Sequence, residues 1–279
     1  MRIDAHQHFF DYHQHNEDYG WMSNEHAILK KDFLPTDLLP ELQQANLNGS
    51  IVVQARQNLR ETQWLLDLAN QYPWIYGVVG WVDLCANNVA EQLEKFTIDP
   101  KLRGIRHIIH DEPDDHFMLR DDFQHGISSL QQYDLAYDLL LFPKHLSIAE
   151  TLVKNFPQQR FVIDHIAKPP IKAQQFEPWK TEIQKLADYA NVYCKVSGMV
   201  TEADLKNWHA ADFNDYLDAV YHAFGEDRLL YGSDWPVCLL AANYQQQYEI
   251  LDNYMQQYPA TTQQKFFGKN AATFYHLEV

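Results

Sequence analysis

A pair of histidines near the start of the chain has the spacing of two metal ligands. His6 and His8 stand two residues apart at the end of a short apolar run that reads as a β-strand. Side chains at positions i and i+2 of a strand point to the same face, so both imidazoles should face one site. Neutral imidazole is the commonest metal ligand, and two of them supply half of a typical site. The chain has 14 histidines, so the position at a strand end is what makes this pair informative.

Two later strand ends carry residues that would complete such a site. His165 follows the sixth apolar run of the chain, and Asp234 follows the eighth. Three nitrogens and one carboxylate oxygen suit a single Zn²⁺ or Mn²⁺ with one open position. The alternative is that the histidines only hydrogen-bond a substrate or one another. Asp234 also has alternatives, since it could take a proton from water or cap the segment that begins at Pro236.

Other polar residues at strand ends are candidates for contact with a substrate. Arg56, Arg106 and His107 could bind carbonyl, hydroxyl or carboxylate oxygens. The alternative for each is an ion pair with a carboxylate of Asp111, Glu112 or Asp138. Lys168, which precedes two prolines, is a weaker candidate and could be a loop residue only. The residues that we predict to bind substrate are Gln54, Arg56, Glu112, Asp138, Trp21 and Trp235, the two tryptophans as part of a wall that stacks on a sugar.

These groups require a scaffold that brings many strand ends together. Eight short apolar, β-branched runs read as buried parallel strands: Arg2–Ala5, Ser50–Ala55, Ile75–Val82, Gly104–Ile109, Leu135–Phe142, Phe161–Asp164, Val192–Val196 and Leu229–Gly232. Amphipathic segments between and after them predict helices over Asp37–Ala45 (with Thr36 as N-cap), Leu59–Gln71, Val89–Phe96, Asp121–Tyr133, Ser147–Asn155, Glu177–Tyr189, Phe213–Phe224 and Tyr244–Gln257.

Eightfold alternation of strand and helix predicts an α/β fold of the TIM type, a single (β/α)8 barrel. An open doubly wound sheet would usually carry a Gly-rich phosphate loop, but neither GxGxxG nor a P-loop occurs among only 10 glycines. The 279 residues suffice for one such barrel of roughly 250 residues, and no linker divides the chain. We therefore predict one domain over residues 1–279, with the active site at the carboxyl ends of the strands.

The overall charge and the cysteines exclude several classes of protein. The chain carries 22 Lys+Arg against 38 Asp+Glu, a formal charge of −16, which disfavours nucleic acid and anionic membranes as partners. The sequence contains neither an apolar stretch long enough to span a membrane nor the apolar region of a signal peptide. Three cysteines in distant positions, Cys85, Cys194 and Cys238, argue against a disulfide framework and favour the cytoplasm.

Several motifs along the whole chain resemble the amidohydrolase superfamily, and within it the group of L-fuconolactonase, L-rhamnonolactonase and pyrone-dicarboxylate lactonase. The segments that carry the resemblance are Asp4–Phe10, Asp32–Pro35, Gly77–Asp83, Gly104–His107, Asp164–Pro169, Lys195–Gly198, Tyr231–Pro236, Gly268–Ala271 and Phe274-Tyr275. Each motif is weak by itself, and together they are specific.

The resemblance implies a barrel enzyme that hydrolyses a sugar lactone, a hydrolase of carboxylic ester bonds in carbohydrate metabolism. It maps the metal ligands of the family onto His6, His8, His165 and Asp234. We assign Asp234 as general base, with Arg106 and His107 as catalytic groups that stabilise an oxyanion if no metal does so. Many superfamily members bridge two metals through a lysine that ends strand 4, and Arg106-His107 stands there instead. We therefore expect one divalent metal, zinc first, or none, in a monomer or homodimer.

Four rival interpretations remain open. Related amidohydrolases with a similar histidine pair and late aspartate decarboxylate aromatic acids, and others open a pyrone-dicarboxylate lactone. Nucleases of the TatD type share the first motif, but the negative charge disfavours DNA. A binding module with a decayed site is the non-enzymatic alternative.

Overall fold

Eight parallel strands form the centre of the molecule. The structure, a computed structural model, describes residues 1–278, so the predicted domain end at residue 279 lies outside the described residues. The strands lie in a single sheet in chain order: β1 Ile3–Gln7, β2 Gly49–Val53, β3 Ile75–Gly80, β4 Leu102–His107, β5 Ala136–Leu139, β6 Phe161–Ile163, β7 Val192–Val196 and β8 Leu229–Tyr231. Each overlaps one of the eight predicted runs.

The ring of strands closes just beyond the end of β8. The backbone N–H of His8 donates to the carbonyl of Trp235 at 2.7 Å, and that of Asp234 donates to the carbonyl of His6 at 2.8 Å. These bonds join the carboxyl end of β1 to the segment after β8. The predicted (β/α)8 barrel is thereby confirmed, and its closure brings His6, His8 and Asp234 together.

Helices surround the barrel on the outside and bury one apolar face against it, as α3 does with Leu65, Leu66 and Ala69. Within the described residues, none is long and apolar enough to cross a membrane. The α-helices are α1 Tyr12–His15, α2 Pro35–Gln44, α3 Leu59–Gln71, α4 Val89–Thr97, α5 Asp121–Leu130, α6 Leu146–Asn155, α7 Trp179–Ala187, α8 Met199–Glu202, α9 Asn214–Phe224, α10 Tyr244–Met255, α11 Ala260–Gln264 and α12 Asn270–Phe274.

The start of α2 differs from the prediction that Thr36 caps it. Pro35 occupies the first helical position, and Leu34 is the N-cap. The carboxylate of Asp37 accepts a hydrogen bond from the backbone N–H of Leu34 at 2.8 Å. Proline is favoured at the first position of a helix because its fixed φ suits the helix and its missing N–H is not needed there. Thr36 therefore lies inside the helix.

The last helix of the described chain closes the end of the barrel opposite the carboxyl ends of the strands. Phe274 and Tyr275 are buried in the barrel interior in one apolar cluster with Ile3 and Ala5 of β1. The Tyr275 hydroxyl reaches farther inside and donates to Asp138 of β5 at 2.8 Å. The barrel interior is thus apolar near this helix and polar toward the opposite end.

Candidate active site

A cavity lies at the carboxyl ends of the strands. Its polar lining consists of His8, Arg106, His110, Asp111, His165, Lys168 and Asp234. Its apolar lining consists of Phe10, Trp21, Ala55, Ile108, Leu140 and Val237. The position agrees with the rule that barrel enzymes carry their active sites on this face.

Three imidazoles and one carboxylate converge at the floor of the cavity. The Nε2 atoms of His6 and His8 lie 3.2 Å apart. The Asp234 carboxylate oxygen Oδ1 lies 3.5 Å from Nε2 of His8, 3.7 Å from that of His165 and 3.9 Å from that of His6. All four side chains are buried. The structure therefore brings together the four residues that strand ends alone had suggested.

Hydrogen bonds on the far side of each imidazole fix its orientation. Nδ1–H of His8 donates to the carbonyl of Val53 at 2.7 Å, which leaves the lone pair of Nε2 facing the cluster. Nδ1 of His165 hydrogen-bonds to the Ser197 hydroxyl at 2.9 Å. Nδ1 of His6 lies 3.1 Å from the Lys195 ammonium and 3.2 Å from the Asp164 carboxylate. Partners of this kind orient metal-ligating histidines and set which ring nitrogen is free.

The donor set fits one divalent cation. Two nitrogens bound tetrahedrally to zinc at 2.0–2.1 Å lie about 3.3 Å apart, which matches the 3.2 Å between the Nε2 atoms of His6 and His8. Donor atoms of His6, His8 and Asp234 all lie within 4.8 Å of one another. His165 and Asp234 offer the remaining ligand atoms on the side that faces the cavity. The residues present could therefore hold a single metal ion.

Asp234 has the electrostatic surroundings of an ionised carboxylate. Burial raises its pKa, but the neighbouring His165 and His8 lower it, and the net pKa lies below the usual value. Its φ of 57° is left-handed, an uncommon conformation for a residue other than glycine. The carboxylate lines the cavity, so it can reach a water molecule there.

A network of buried charges lies beneath the cluster. The Lys195 ammonium, fully buried, donates to Asp138 and lies 3.0 Å from Asp164. Arg106 donates to the other oxygen of Asp164 at 3.0 Å. Burial raises the pKa of Asp164, yet Lys195 and His6 hold it well below its usual value. The network keeps both carboxylates paired where water cannot reach them.

Asp138 and Gln54, which we expected to contact substrate, belong to this network. Asp138 is fully buried between Lys195 and Tyr275 and does not line the cavity. The backbone carbonyl and the side-chain oxygen of Gln54 both accept from Arg106. Their contacts support the residues around the cavity, so neither is proposed to touch substrate.

Arg56 also lies away from the cavity lining. Its guanidinium lies 3.1 Å from Asp11, 3.3 Å from Asp18 and 3.3 Å from Glu61. Arg56 therefore forms ion pairs, as the alternative interpretation predicted, but its partners are not the predicted Asp111, Glu112 or Asp138. Arg56 ties the segment after β1 to the beginning of α3.

His107 and Glu112 point away from the cavity as well. Nε2–H of His107 donates to Glu112 at 2.6 Å, and its Nδ1 accepts from the Trp81 indole at 3.3 Å. Adjacent residues of a strand face opposite sides. Because Arg106 faces the barrel interior, His107 must face the helices, where its ring stacks on Phe117. The geometry gives His107 no contact with a reacting group.

The two tryptophans that we expected in a sugar-stacking wall have different environments. Trp21 lines the cavity and keeps 41% of its surface exposed. Trp235 is buried and packs edge-on against Phe33, with ring centroids 5.3 Å apart. Trp21 can therefore stack on a bound ring, whereas Trp235 belongs to the core.

Sequence reasoning gave no role to His110 of the cavity and treated Lys168 only as a weak candidate. Burial, together with Lys168 and Arg106, lowers the pKa of His110 to about 3, so the imidazole is neutral. Lys168 lies 3.4 Å from Glu202. Both residues follow predicted strands by only a few positions, and that proximity was the signal in the sequence that could have identified them.

The chain belongs to the amidohydrolase family, because the model of that family matches residues 3–277. Its relatives include the L-fucono-1,5-lactonase of Burkholderia multivorans, 37% identical over 288 residues that cover 99% of this chain and 96% of that protein. The L-fucono-1,5-lactonase of Burkholderia ambifaria is 34% identical over 285 residues, which cover 100% of this chain and 96% of that protein. The crystal structure of an amidohydrolase from Burkholderia multivorans with bound zinc has a TM-score of 0.95 and 37% identity, with 99% of each chain covered.

Proposed function

We propose that this protein is a hydrolase that opens a sugar lactone of the L-fucono type to the aldonic acid. One observation carries the proposal: the ionised Asp234 carboxylate lies among three imidazoles at the floor of a cavity. Full-length similarity to two L-fucono-1,5-lactonases supports the substrate class.

The charges around the cavity favour a neutral polyhydroxylated substrate over a dicarboxylate. Arg106 and Lys168 are the arginine and the lysine of the described lining. Arg106 is paired with Asp164, whereas Lys168 lies 3.4 Å from Glu202 and keeps donors for one further anionic group. The carboxylate of Asp111 adds a negative charge to the wall. A pyrone dicarboxylate would need a second free cation to offset its two charges. The apolar side of the cavity suits the C–H faces of a sugar ring.

The reaction requires that one proton be taken and returned. Asp234 removes a proton from water while the water oxygen attacks the lactone carbonyl. Negative charge then develops on the carbonyl oxygen. Collapse of the tetrahedral intermediate breaks the bond between the carbonyl carbon and the ring oxygen. The ring oxygen takes the proton back from Asp234, and the new acid releases its own proton to solvent.

His6, His8, His165 and Asp234 would hold the metal, which we propose to be zinc. When bound, it would supply Lewis-acid polarisation of the reacting carbonyl. The donor set and the zinc-bound relative support this assignment. We also propose that residues 1–279 form one domain, active as a monomer or homodimer in carbohydrate metabolism. The free Cys85, Cys194 and Cys238 support a cytoplasmic location.

A pH-indicator assay tests the proposed function. Purified protein is offered L-fucono-, L-rhamnono-, L-galactono- and D-galactono-lactone, each with chelator and with added Zn²⁺. We expect stereoselective hydrolysis above the spontaneous rate, with the L-fucono compound preferred. Two rival substrates are tested as well. A pyrone-dicarboxylate lactone is followed in the same pH-indicator assay, and 2,6-dihydroxybenzoate is followed by release of carbon dioxide. Turnover of a rival alone would contradict the proposal.

Gly198 provides a test of the metal site that does not depend on turnover. A Cβ at this position would lie 2.6 Å from Nδ1 of His165. We expect Gly198→Ala to displace the imidazole and lower Zn²⁺ affinity by about 10- to 100-fold, the usual effect of disturbing the partner of a ligand. Competition with a chromogenic chelator measures this affinity.

Gly225→Ala is the matched control for that variant. Gly225 has a φ of +67° against +61° for Gly198, but nothing lies within 4 Å of its added Cβ. The backbone strain in the control is at least as large, because Gly225 has a ψ of −173°, in a region essentially restricted to glycine, whereas Gly198 has a ψ of 11° in the left-handed helical region. Equal Zn²⁺ affinity in the two variants would show that His165 is not a ligand.

A further inference from the structure

The segment after β6 has a rare backbone conformation. His165, Ile166, Ala167 and Lys168 have φ values of 55°, 47°, 58° and 50°. None is glycine, and left-handed backbone is unfavourable for every L-residue, above all for a β-branched isoleucine. Four such residues in succession persist only where the surrounding structure holds them, and such strain concentrates at functional sites.

Two hydrogen bonds and the burial of Ile166 and Ala167 hold this left-handed turn. The indole N–H of Trp179 in α7 donates to the carbonyl of Ile166 at 2.7 Å. The backbone N–H of Lys168 donates to the carbonyl of His165 at 2.8 Å. Ile166, Ala167 and Trp179 lie in the apolar core. The turn is therefore a fixed part of the scaffold.

The turn brings its first and last side chains to the same cavity. His165 and Lys168 both line it, whereas Ile166 and Ala167 are buried in the core. In a turn with three residues per repeat, positions i and i+3 lie on the same side. The strained conformation thus gives Lys168 a set position relative to His165 and, through it, to Asp234.

Lys168 offers accessible donors at the cavity, whereas the terminal nitrogens of Arg106 already have acceptors and its Nε is buried. The terminal nitrogens of Arg106 donate to Asp164 and to Gln54. The ammonium of Lys168 has three donors, and Glu202 lies on one side of it at 3.4 Å. Its side chain keeps 20% of its surface exposed at the cavity. Among the described residues of the lining, Lys168 is the cation best able to accept a new anionic partner.

We propose that Lys168 is a catalytic residue that binds the charge formed on the carboxyl group of the substrate. This inference rests on the proposed lactone hydrolysis, in which a neutral lactone and water become an aldonate and a proton. Negative charge first develops on the carbonyl oxygen and then remains on the product carboxylate. An ammonium at this position stabilises both charged species and gains little from the neutral lactone, so it lowers the barrier more than it strengthens substrate binding.

The test compares Lys168→Met and Lys168→Arg in zinc-supplemented protein. For Lys168→Met we expect kcat for L-fucono-1,5-lactone to fall about 100-fold, in the range found when one oxyanion-stabilising donor is removed, with little change in KM. Inhibition by the aldonate product should weaken at least about tenfold, the size of one lost ionic contact. Inhibition by the neutral alditol of the same sugar should not change. Lys168→Arg keeps the charge and should retain aldonate inhibition.

Lys172→Met is the control, because Lys172 is 67% exposed and does not line the cavity. Wild-type kcat and unchanged aldonate inhibition in Lys168→Met would overturn the role of Lys168 and leave lactone hydrolysis intact. A wild-type protein that opens no lactone would instead overturn the proposed function, and this inference with it. Equal losses of aldonate and alditol inhibition would show a general distortion of the site and would also overturn the proposal.

Discussion

Replacing Asp234 with asparagine is expected to lower kcat for lactone hydrolysis by about 10³-fold or more, near the upper range for loss of a general base. Asparagine keeps the shape of the side chain but cannot take a proton from water. The carboxylate is buried beside His8 and His165 at the floor of the cavity, where it is the proposed acceptor of the proton from water. Initial rates corrected for spontaneous hydrolysis measure the effect, and circular dichroism confirms that the fold persists.

Asp114→Asn makes the same chemical change outside the site. The Asp114 side chain is 62% exposed and does not line the cavity, so we expect wild-type kcat. Bound Zn²⁺ is measured in both variants, since Asp234 is also a proposed ligand. A kcat within a few-fold of the wild type in Asp234→Asn would remove Asp234 from the role of general base.

Replacing Lys195 with methionine is expected to destabilise the fold severely. The ammonium is fully buried and pairs with Asp138 and Asp164 inside the barrel. Arg106 still pairs with Asp164 in the variant, but Asp138 keeps only the Tyr275 hydroxyl. Removing one partner of a buried ion pair usually costs about 3–5 kcal/mol. Urea denaturation of the metal-free protein measures the free energy of unfolding.

Two further variants make this experiment specific. Lys185→Met removes a 48% exposed lysine that pairs with Glu182, and we expect less than about 0.5 kcal/mol there. Adding Asp138→Asn to Lys195→Met removes the unpaired charge and keeps an acceptor for Tyr275, so part of the lost stability should return. A single variant as stable as the Lys185 control would show that the network does not support the fold.

Local sequence patterns were enough to predict the barrel and the floor of its cavity. Short β-branched runs predict buried strands because side chains on both faces must be apolar, and all eight strands form where such runs stand. The alternation of a strand places His6 and His8 on one side. The same rule applied to β4 separates Arg106, which faces the interior, from His107, which faces the helices. That separation is available from the sequence alone.

Other features depend on contacts between distant parts of the chain. Arg56 pairs with Asp11 and Asp18, 45 and 38 positions away, and no local pattern encodes such a pairing. Asp138 receives a hydrogen bond from Tyr275, 137 positions away. The left-handed turn at His165–Lys168 contains no glycine that could have marked it. Its conformation depends on Trp179 and on burial in the core, so the position of Lys168 emerges only from the folded structure.

The central claim is that water activated by Asp234 attacks the carbonyl of a sugar lactone. Hydrolysis of L-fucono-1,5-lactone in water enriched in oxygen-18 tests it most directly, with the product examined by mass spectrometry. We expect a rate above the spontaneous one and a single heavy oxygen in the carboxylate of the aldonate. No acceleration by the protein, or heavy oxygen in the hydroxyl released from the ring, would contradict the claim.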